Sequence, residues 1–221
     1  NLTPINNENI IEIGPGLGSL TDRIIELKPK SLLLIEKDRE LCDILKKKYD
    51  DKNKKIVNND ALKFDYSKFK STKIISNLPY NISSKFLLKV LKLNKHIKCV
   101  ICMIQSELAD KFDQNKGKMN KYKFISKYCS DYKIHFNVSR NVFYPKPKVD
   151  SKVVSFLIKN KKIDLKRFDN FINYFFINKR KKIKSNKYFT NIDKAYIDLR
   201  YEDLEYSDIL KIYKKFEFSV S

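Results

Sequence analysis

The sequence predicts an α/β fold in which a mostly parallel sheet is followed by a small helical lobe. Short apolar runs alternate with helical patterns up to about residue 158, and beyond that point the periodicity is purely helical. Strands that alternate with helices are typical of a parallel sheet covered on both faces. The chain has 221 residues, of which 42% are hydrophobic, enough for one large domain with an appendage. We assign residues 1–160 to the sheet domain and residues 161–221 to the helical lobe.

Seven short apolar runs are the candidate strands of this sheet. In chain order they are Ile10–Ile13, Leu32–Ile35, Lys55–Asn58, Ile74–Ser76, Val100–Ile104, Ile134–Val138 and Lys152–Ile158. The last two runs are separated by the loop that begins at Phe143 and not by a helix. Neighbouring strands joined by a loop predict an antiparallel pair at one edge of the sheet.

The helices are predicted from apolar stripes and from residues that cap their first turns. The first helix has the expected buried stripe Leu17, Leu20, Ile24 and Ile25. Asp38 is expected to cap the helix that runs to about Tyr49. Ser83 or Ser84 is expected to cap a later helix, whose buried positions are Phe86, Leu87, Val90 and Leu91. In the lobe, helical spacing connects Phe168, Phe171, Ile172, Phe175 and Phe176.

Positive charge dominates outside the first quarter of the chain. The sequence has 47 Lys+Arg against 26 Asp+Glu, which gives a net charge of +21. Residues 1–60 contain 11 basic and 11 acidic residues, so the whole excess lies in residues 61–221. Such an excess predicts a polyanionic partner. Drift toward A·T-rich codons is the alternative, since only 6 of the basic residues are Arg, but uniform drift does not explain a neutral first quarter.

The cysteines and the apolar runs exclude several classes of protein. Four cysteines do not form the disulfide framework of a small secreted domain, and Cys99 and Cys102 lie inside an apolar run that predicts a buried strand. We therefore expect no metal site and a reducing intracellular compartment. The motif from Asn77 to Ser83 is typical of bacterial or organellar proteins, so a mitochondrion or plastid is favoured over nucleolus or cytoplasm. No apolar run reaches the ~20 residues that a membrane helix needs. The chain begins at Asn1 without Met, and any targeting peptide is expected to lie outside it.

A glycine-rich turn follows the first strand and predicts a nucleoside site. Gly14, Gly16 and Gly18 stand between a strand and a helix, at the sheet edge where ligands of parallel sheets bind. The spacing differs from that of the dinucleotide fingerprint, and the lysine of a phosphate-binding loop is missing. Glu36 ends the next strand, where a carboxylate accepts hydrogen bonds from ribose hydroxyls. Asp60 follows the third strand and is a candidate partner for an adenine amine, although an aspartate also caps many strand ends.

The four residues Asn77-Leu78-Pro79-Tyr80 follow the fourth strand and predict the chemistry. The lone pair of an aromatic amine is delocalised into its ring, which makes the nitrogen a poor nucleophile. Acceptors on its N–H bonds, the Asn77 side-chain oxygen and the Leu78 carbonyl, favour a pyramidal nitrogen with a free lone pair. Pro79 has no N–H to compete for these acceptors. Tyr80 offers a ring on which a base stacks.

The run from Phe143 to Ser151 is a stiff, proline-containing loop led by an aromatic residue. Phe143 is a candidate for covering the second face of a base that has been turned out of its helix, as base-modifying enzymes require. An ordinary proline-rich turn with a core phenylalanine is the alternative. Composition alone does not decide between them.

Taken together, these motifs resemble the KsgA-type ribosomal RNA adenine N6-dimethyltransferases. The resemblance is carried by residues 11–18, Glu36, Asp60-Ala61, residues 77–83 and residues 143–151, in that order, with further likeness in residues 103–109, 179–182 and 199–204. It covers nearly the whole chain. It implies a class I S-adenosylmethionine-dependent methyltransferase with a seven-stranded, Rossmann-like sheet and a small C-terminal helical domain that binds RNA.

The resemblance also implies roles for particular residues. S-adenosylmethionine would be bound by Gly14, Gly16, Glu36, Lys37, Asp60, Ala61 and Asn77. The target amine would be held by Asn77, Leu78 and Pro79, with Tyr80 and Phe143 on either side of the base. RNA would contact Lys146, Lys148, Lys179, Arg180, Lys181 and Lys182. The expected reaction is methylation of two adjacent adenines near the 3′ end of small-subunit rRNA, in a pre-ribosomal particle and by a monomer.

Two departures from the family pattern accompany this resemblance. The family has an N-terminal segment that closes over the cofactor, and its Gln-Asn-Phe-Leu-like motif is not found in this sequence, so weaker cofactor binding is expected. The stretch from Gln114 to Lys123 lacks a Tyr-Gly pair, since Lys123 follows Tyr122. A non-catalytic nucleic-acid-binding relative, such as a mitochondrial transcription factor B-like or ribosome-assembly protein, is the alternative function. The intact Asn77–Tyr80 motif favours the enzyme.

Overall fold

Seven strands form one sheet at the centre of the molecule. The computed structural model describes residues 4–49, 53–177, 181–186, 188–189 and 192–216. In chain order the strands are β1 (Asn9–Ile13), β2 (Ser31–Glu36), β3 (Lys54–Asn58), β4 (Thr72–Asn77), β5 (Ile97–Gln105), β6 (Ser130–Val138) and β7 (Ser151–Ile158). Their order across the sheet is β3-β2-β1-β4-β5-β7-β6. Strands β1 to β5 are parallel, and β7 lies antiparallel between β5 and β6. The predicted parallel sheet with an antiparallel edge is confirmed.

Helices cover both faces of this sheet. They are α1 (Ser19–Glu26), α2 (Arg39–Lys48), α3 (Tyr80–Val90), α4 (Ser106–Phe112), α5 (Lys121–Cys129), α6 (Leu165–Phe175), α7 (Lys194–Ile197) and α8 (Tyr206–Lys215). One face buries Leu32 and Leu34 against Ile24 of α1 and Leu45 of α2. The opposite face carries the larger core, in which side chains of α3 to α6 and α8 pack together with β1, β4, β5 and β7. Apolar side chains on both faces explain why the strands read as continuous apolar runs.

Two helix starts show where the sequence patterns succeed and fail. Asp38 caps α2 as predicted, because its carboxylate accepts hydrogen bonds from the N–H groups of Glu40 and Leu41 at 2.8 and 3.1 Å. The predicted cap of α3 at Ser83 or Ser84 is wrong. This helix begins a turn earlier, with Pro79 at the cap position, and the Ser83 hydroxyl donates back to the Pro79 carbonyl at 2.8 Å. A proline suits a helix entry because its φ is fixed and its N–H is not needed there.

The predicted stripe of α1 also needs one correction. Leu17 is 65% exposed, whereas Ile24 is buried and Leu20 and Ile25 are half-buried. Leu17 lies in the glycine-rich turn, because α1 begins only at Ser19. The helical periodicity therefore does not extend back to it.

The C-terminal helices pack on the sheet domain through aromatic side chains. Phe168 of α6 stacks on Tyr128 of α5, with ring centroids 4.9 Å apart, and Tyr213 of α8 meets the same Tyr128 ring edge-on at 5.4 Å. The predicted stripe of α6 is buried, from Phe168 to Phe176. Since this core crosses residue 160 without a break, the domain boundary stays a prediction. In the described residues, no helix has the length and apolarity needed to cross a bilayer.

Candidate active site

The glycine-rich turn between β1 and α1 is held in place by a tyrosine from α2's end. Gly18 has a φ of 89°, and a Cβ added there would lie 3.0 Å from the ring carbon Cζ of Tyr49. The Tyr49 hydroxyl lies 3.0 Å from the Gly18 carbonyl and 2.5 Å from a carboxylate oxygen of Asp22. Only glycine combines this conformation with so close an approach. Tyr49 was not among the predicted site residues, because it is 31 residues from Gly18.

Glu36 ties the end of β2 to the same turn. One of its carboxylate oxygens accepts from the Gly16 N–H at 3.2 Å, and the other from the N–H groups of Lys37 and Asp38 at 2.7 and 3.0 Å. A carboxylate has about four acceptor positions. In this conformation Glu36 therefore has about one position left for a ligand hydroxyl, and a second hydroxyl would replace the long Gly16 contact.

Asp60 and Ala61 lie beside Glu36, after β3. The Asp60 carboxylate accepts from the Leu62 N–H at 2.9 Å and pairs with the Lys37 ammonium at 3.2 Å. These two contacts hold the pKa of Asp60 below its ordinary value, and the hydrogen bond from the Leu62 N–H has the larger effect. The group is therefore an ionised acceptor at neutral pH. Ala61 is buried, and its carbonyl accepts from the Tyr66 hydroxyl at 3.0 Å.

Lys89 of α3 stabilises the loop that follows β3 and contains Asp60 and Ala61. Its ammonium donates to the carbonyls of Leu62 and Phe64 at 2.7 and 2.9 Å and lies 5.1 Å from the centroid of the Tyr66 ring. Desolvation lowers the pKa of Lys89. Because α3 begins at Tyr80, one helix carries both the predicted base-stacking residue and the support of the Asp60–Ala61 loop. No sequence pattern pointed to Lys89, which is one of two lysines on an amphipathic helix.

The carboxyl ends of β1, β2 and β3 thus form an edge that fits a nucleoside ligand. A Cβ added to Gly16, whose φ is 59°, would meet nothing within 4 Å, so the backbone there is open to a ligand. Glu36 ends β2 and Asp60 follows β3, and their carboxylates can act as acceptors for ribose hydroxyls and an adenine amine. The residues therefore fit the groups that S-adenosylmethionine presents. Their individual roles stay predictions.

Glu12 lies on β1, two residues before the turn, and was not among the predicted site residues. Its side chain is fully buried, and one carboxylate oxygen accepts from the Thr21 hydroxyl of α1 at 2.7 Å. Burial raises the pKa of Glu12 to about 7. The sequence did not predict that Glu12 contacts Thr21, because a glutamate and a threonine at this separation also occur at exposed positions.

A second cleft brings the motif after β4 together with the proline-rich loop. It has a volume of about 240 Å³, and its walls are Asn77, Leu78, Pro79, Tyr80, Met103, Phe143, Pro145 and Pro147. All five residues predicted to hold and sandwich the target base line it. A Cβ added to Gly14 would lie 3.4 Å from the Pro79 ring, so this cleft adjoins the glycine-rich turn. The fold places the predicted amine site next to the predicted cofactor site.

The Tyr80 ring is anchored at its far end. Its hydroxyl lies 2.7 Å from the hydroxyl of Ser151, which is fully buried at the first position of β7. The two residues are 71 positions apart in the sequence. This hydrogen bond fixes the angle at which the ring lines the cleft. Ser151 was part of the recognised loop motif, but the sequence assigned it no role.

Hydrogen bonds connect the two ends of the loop from Ser139 to Asp150. The Asp150 carboxylate accepts from the Arg140 N–H at 2.9 Å, and the Arg140 guanidinium donates to the Lys148 carbonyl at 2.9 Å. The Asp150 carbonyl in turn accepts from the Ser106 N–H at 2.9 Å. Phe143 is therefore presented to the cleft from a tethered loop.

The predicted RNA-binding lysines differ in their surroundings. Lys146 and Lys148 are exposed beside the cleft. Lys182 pairs with Asp198 at 3.2 Å, and the neighbouring Lys184 pairs with the same carboxylate at 2.6 Å. Lys181 is exposed, and Lys179 and Arg180 lie outside the described residues. RNA binding by this set stays a prediction.

Two other features are not part of this site. A cleft of about 360 Å³ lies between the amino ends of β1, β2 and β4, but ligands of parallel sheets bind at the carboxyl ends. Cys99 and Cys102 are buried in β5, as the apolar run predicted, and burial raises the pKa of both thiols. Among the residues that the structure describes, no cluster of three or more His, Cys, Asp or Glu could hold a metal ion.

The strand order, the glycine turn after β1 and the acidic residue ending β2 define a class I S-adenosylmethionine-dependent methyltransferase. A solved dimethyladenosine transferase from Plasmodium falciparum has a TM-score of 0.75 at 24% identity and covers 94% of this chain and 90% of that one. The 23S rRNA methyltransferase ErmE has a TM-score of 0.70 at 19% identity, with coverages of 96% and 92%. At these identities the likeness concerns the fold.

The chain belongs to the ribosomal RNA adenine dimethylase family, whose model matches residues 1–217. The ribosomal RNA small subunit methyltransferase A of Malacoplasma penetrans (strain HF-2) is 42% identical over 188 residues, which are 81% of this chain and 67% of that protein. The protein of the same name from Hydrogenobaculum sp. (strain Y04AAS1) is 36% identical over 215 residues, or 94% and 81%. The family resemblance inferred from the motifs is confirmed.

The departure from the family pattern at Lys123 has a structural explanation. Lys123 lies on α5 with its side chain buried, and its ammonium donates to the carbonyls of Lys116 and, at 2.7 Å, Gly117. Gln114 also bonds to the Lys123 carbonyl, at 3.0 Å. The lysine thus closes the loop between α4 and α5 from inside. It does not contact the cleft that holds Asn77 and Tyr80.

Proposed function

We propose that this protein transfers methyl groups from S-adenosylmethionine to the N6 amine of adenines in small-subunit ribosomal RNA. One observation carries the proposal: the Asn77–Tyr80 motif and Phe143 line one cleft, and that cleft adjoins Gly14. The cofactor, when bound, supplies an electrophilic methyl group on a sulfonium sulfur. Family membership and the names of the curated relatives point to the same reaction.

The chain's own residues bind and orient the amine. Asn77 lies exposed at the end of β4, so its side-chain oxygen is accessible to one N–H of the adenine amine. The Leu78 carbonyl is the acceptor for the other N–H, while the Leu78 N–H is engaged with the Met103 carbonyl at 3.3 Å. Two acceptors on the N–H bonds would favour a pyramidal nitrogen with a free lone pair, which is the form that accepts a methyl group.

Little general-base help is needed at this site. The amine proton becomes acidic once the nitrogen has attacked, and it leaves to water at the open cleft. Orientation then supplies the acceleration, on the order of 7–11 kcal/mol for well-aligned reactants. The rings of Tyr80 and Phe143 hold the base in this orientation, and base–aromatic stacking contributes about 1–3 kcal/mol per base.

The finer substrate is part of the same proposal. We place the two methylated adenines side by side near the 3′ end of the small-subunit rRNA, in a pre-ribosomal particle, and we expect the enzyme to act as a monomer. The family resemblance supports this choice. Specificity in such a particle comes from RNA shape as well as from the base itself.

Transfer of labelled methyl groups to under-methylated small subunits, followed by mapping of the modified bases, tests the proposal. Dimethylated adenines at adjacent positions are the expected result. Absence of transfer while cofactor binding is demonstrated would favour the alternative, a nucleic-acid-binding protein that has retained the fold. Transfer to a single position would contradict only the finer proposal.

The compartment also stays a proposal. We favour a reducing intracellular compartment, which is supported by four free, buried cysteines: Cys42, Cys99, Cys102 and Cys129. Thiols buried in a core do not need an oxidising environment for the stability of the fold. Localisation of the full-length protein by tagging distinguishes mitochondrion or plastid from nucleolus or cytoplasm.

A further inference from the structure

The loop that lines the target cleft has a second, outward side. Phe143, Pro145 and Pro147 face the cleft, and the residues between and after them, Tyr144, Lys146 and Lys148, are exposed. Tyr144 has a relative exposure of 102%, so its ring is entirely in solvent. The proposed methyl transfer uses only the inward side.

The Tyr144 ring is available for stacking. Within the described parts of the chain it has no aromatic neighbour and no hydrogen-bond partner. A single exposed apolar side chain is common on protein surfaces and needs no explanation by itself. What distinguishes Tyr144 is its position, one residue after Phe143 at the rim of a cleft proposed to hold an unstacked base.

The charges on the same side are available as well. Among the residues that the structure describes, no carboxylate pairs with Lys146 or Lys148, whereas Lys182 and Lys184 share Asp198. An unpaired exposed ammonium binds a phosphate without first breaking an ion pair. Within the described part of the chain, the outward side of the loop therefore combines one aromatic ring and two ammonium groups that have no partner.

The loop also holds these groups in place. Its ends are held by the hydrogen bond from the Arg140 N–H to the Asp150 carboxylate and by the hydrogen bond between Tyr80 and Ser151. A tethered loop loses less conformational freedom when a ligand binds, so more of the contact energy appears as affinity.

We propose that Tyr144 is a stacking platform for the nucleotide next to the target adenine, with Lys146 and Lys148 binding the phosphates beside it. Tyr144 directly follows Phe143 in the chain, and its exposed ring therefore lies next to the wall of the cleft that would hold the target base. Stacking accepts any base, and this subsite therefore recognises an unpaired neighbour and not a particular sequence. The inference rests on the proposed function, because it assumes an RNA strand in the cleft.

Steady-state methylation of under-methylated small subunits tests this subsite. Tyr144→Ala is expected to raise KM about 5- to 150-fold, the range that loss of one stacked base implies, with kcat unchanged. Tyr144→Phe keeps the ring and is expected to behave as wild type. Val142→Ala is the matched control, since Val142 is 70% exposed on the same loop. An unchanged KM for Tyr144→Ala would overturn the proposal, as would a loss shared equally by Tyr144→Phe.

A binding measurement separates this inference from the proposed function. RNA oligonucleotides containing the target adenine carry the fluorescent base 2-aminopurine on its 5′ or its 3′ side. Wild type is expected to quench one of the two probes, and Tyr144→Ala neither. If wild type quenches a probe but transfers no methyl group to small subunits, the proposed function fails while the stacking platform stands. Equal quenching by wild type and Tyr144→Ala would refute the platform even in an active enzyme.

Discussion

The buried Glu12 carboxyl group makes a strong prediction about stability and pH. Glu12 is buried on β1, and a carboxylate oxygen accepts a hydrogen bond from the neutral Thr21 hydroxyl of α1 at 2.7 Å. Desolvation is the main cause that raises its pKa from 4.5 to about 7, and the hydrogen bond from Thr21 opposes it. Among the residues that the structure describes, no cation pairs with this carboxylate, so the folded protein retains the proton that the unfolded chain releases.

The sign and size of the effect follow from this difference. Between pH 4.5 and pH 7 the folded state binds one more proton at Glu12 than the unfolded state, and the free energy of unfolding falls as the pH rises. Below pH 4.5 both states are protonated, and above pH 7 both are ionised. A pKa difference of this size corresponds to roughly 3 kcal/mol, at about 1.36 kcal/mol per unit.

Urea unfolding at pH 5, 6, 7 and 8 measures this loss, with Glu12→Gln as the test variant. The amide keeps an acceptor for Thr21 but does not titrate, so wild type should lose about 2.5 kcal/mol more than Glu12→Gln between pH 5 and pH 8. Glu26→Gln is the control, because the Glu26 side chain is 60% exposed on α1, the helix that carries Thr21. Asp22 and Asp60, whose pKa values are lowered, titrate below this window and do not interfere.

Parallel pH profiles for wild type and Glu12→Gln would refute the reasoning. They would mean that water or a rearranged side chain solvates the carboxylate, so that burial does not raise its pKa. A carbon-13 NMR titration of the Glu12 carboxyl group checks the same point directly, and a midpoint near 4.5 would contradict it.

Four further predictions concern the site. Tyr80→Ala should cost about 1–3 kcal/mol of target-base stacking and leave cofactor binding nearly intact, as measured by KM for the RNA substrate and by cofactor titration; a loss of cofactor affinity would mean that the site is misassigned. Tyr80→Phe should leave the buried Ser151 hydroxyl unpaired and lower the free energy of unfolding by about 1–3 kcal/mol, and adding Ser151→Ala should restore much of it; no recovery in the double variant would contradict the hydrogen bond seen here. Gly18→Ala should destabilise the protein by about 1–3 kcal/mol and weaken cofactor binding, because a φ of 89° is strained for alanine and the added Cβ meets Tyr49. A melting temperature equal to that of the wild type would contradict this prediction. Affinity for rRNA should fall about 10³- to 10⁵-fold between 50 and 200 mM salt if six to ten phosphates are contacted, and a flat response would show that codon drift accounts for the basic residues.

The sheet could be predicted because its information is local. A strand buried on both faces, such as β2, appears in the sequence as an apolar run, and Leu32–Ile35 was recognised from a few consecutive residues. The ends were less accurate, since β5 extends back to Ile97 and β6 to Ser130. Polar residues such as Lys98 and Asp131 occupy these extensions and hide them from a hydrophobicity pattern.

Most of the site could also be predicted, because its motifs are short and follow strand ends. The glycine turn, Glu36, Asp60, Asn77–Tyr80 and Phe143 were each predicted from a few neighbouring residues, and the structure brings them to one edge of the sheet. The residues that support them were not found. Tyr49, Lys89 and Ser151 act on partners that lie far away in the sequence, and a tyrosine, lysine or serine at such a position also fits many other roles.

The amino-acid sequence alone determined the strands, the basic excess and the motifs at the strand ends, because each depends on residues close together in the chain. Only the tertiary structure decided that Phe143 lines the same cleft as Tyr80, that Ser151 holds Tyr80, and that Tyr144 faces outward. Those facts depend on β7 lying beside β5 and on the path of one loop. Side-chain packing across the whole sheet sets both, and no short stretch of sequence contains that information.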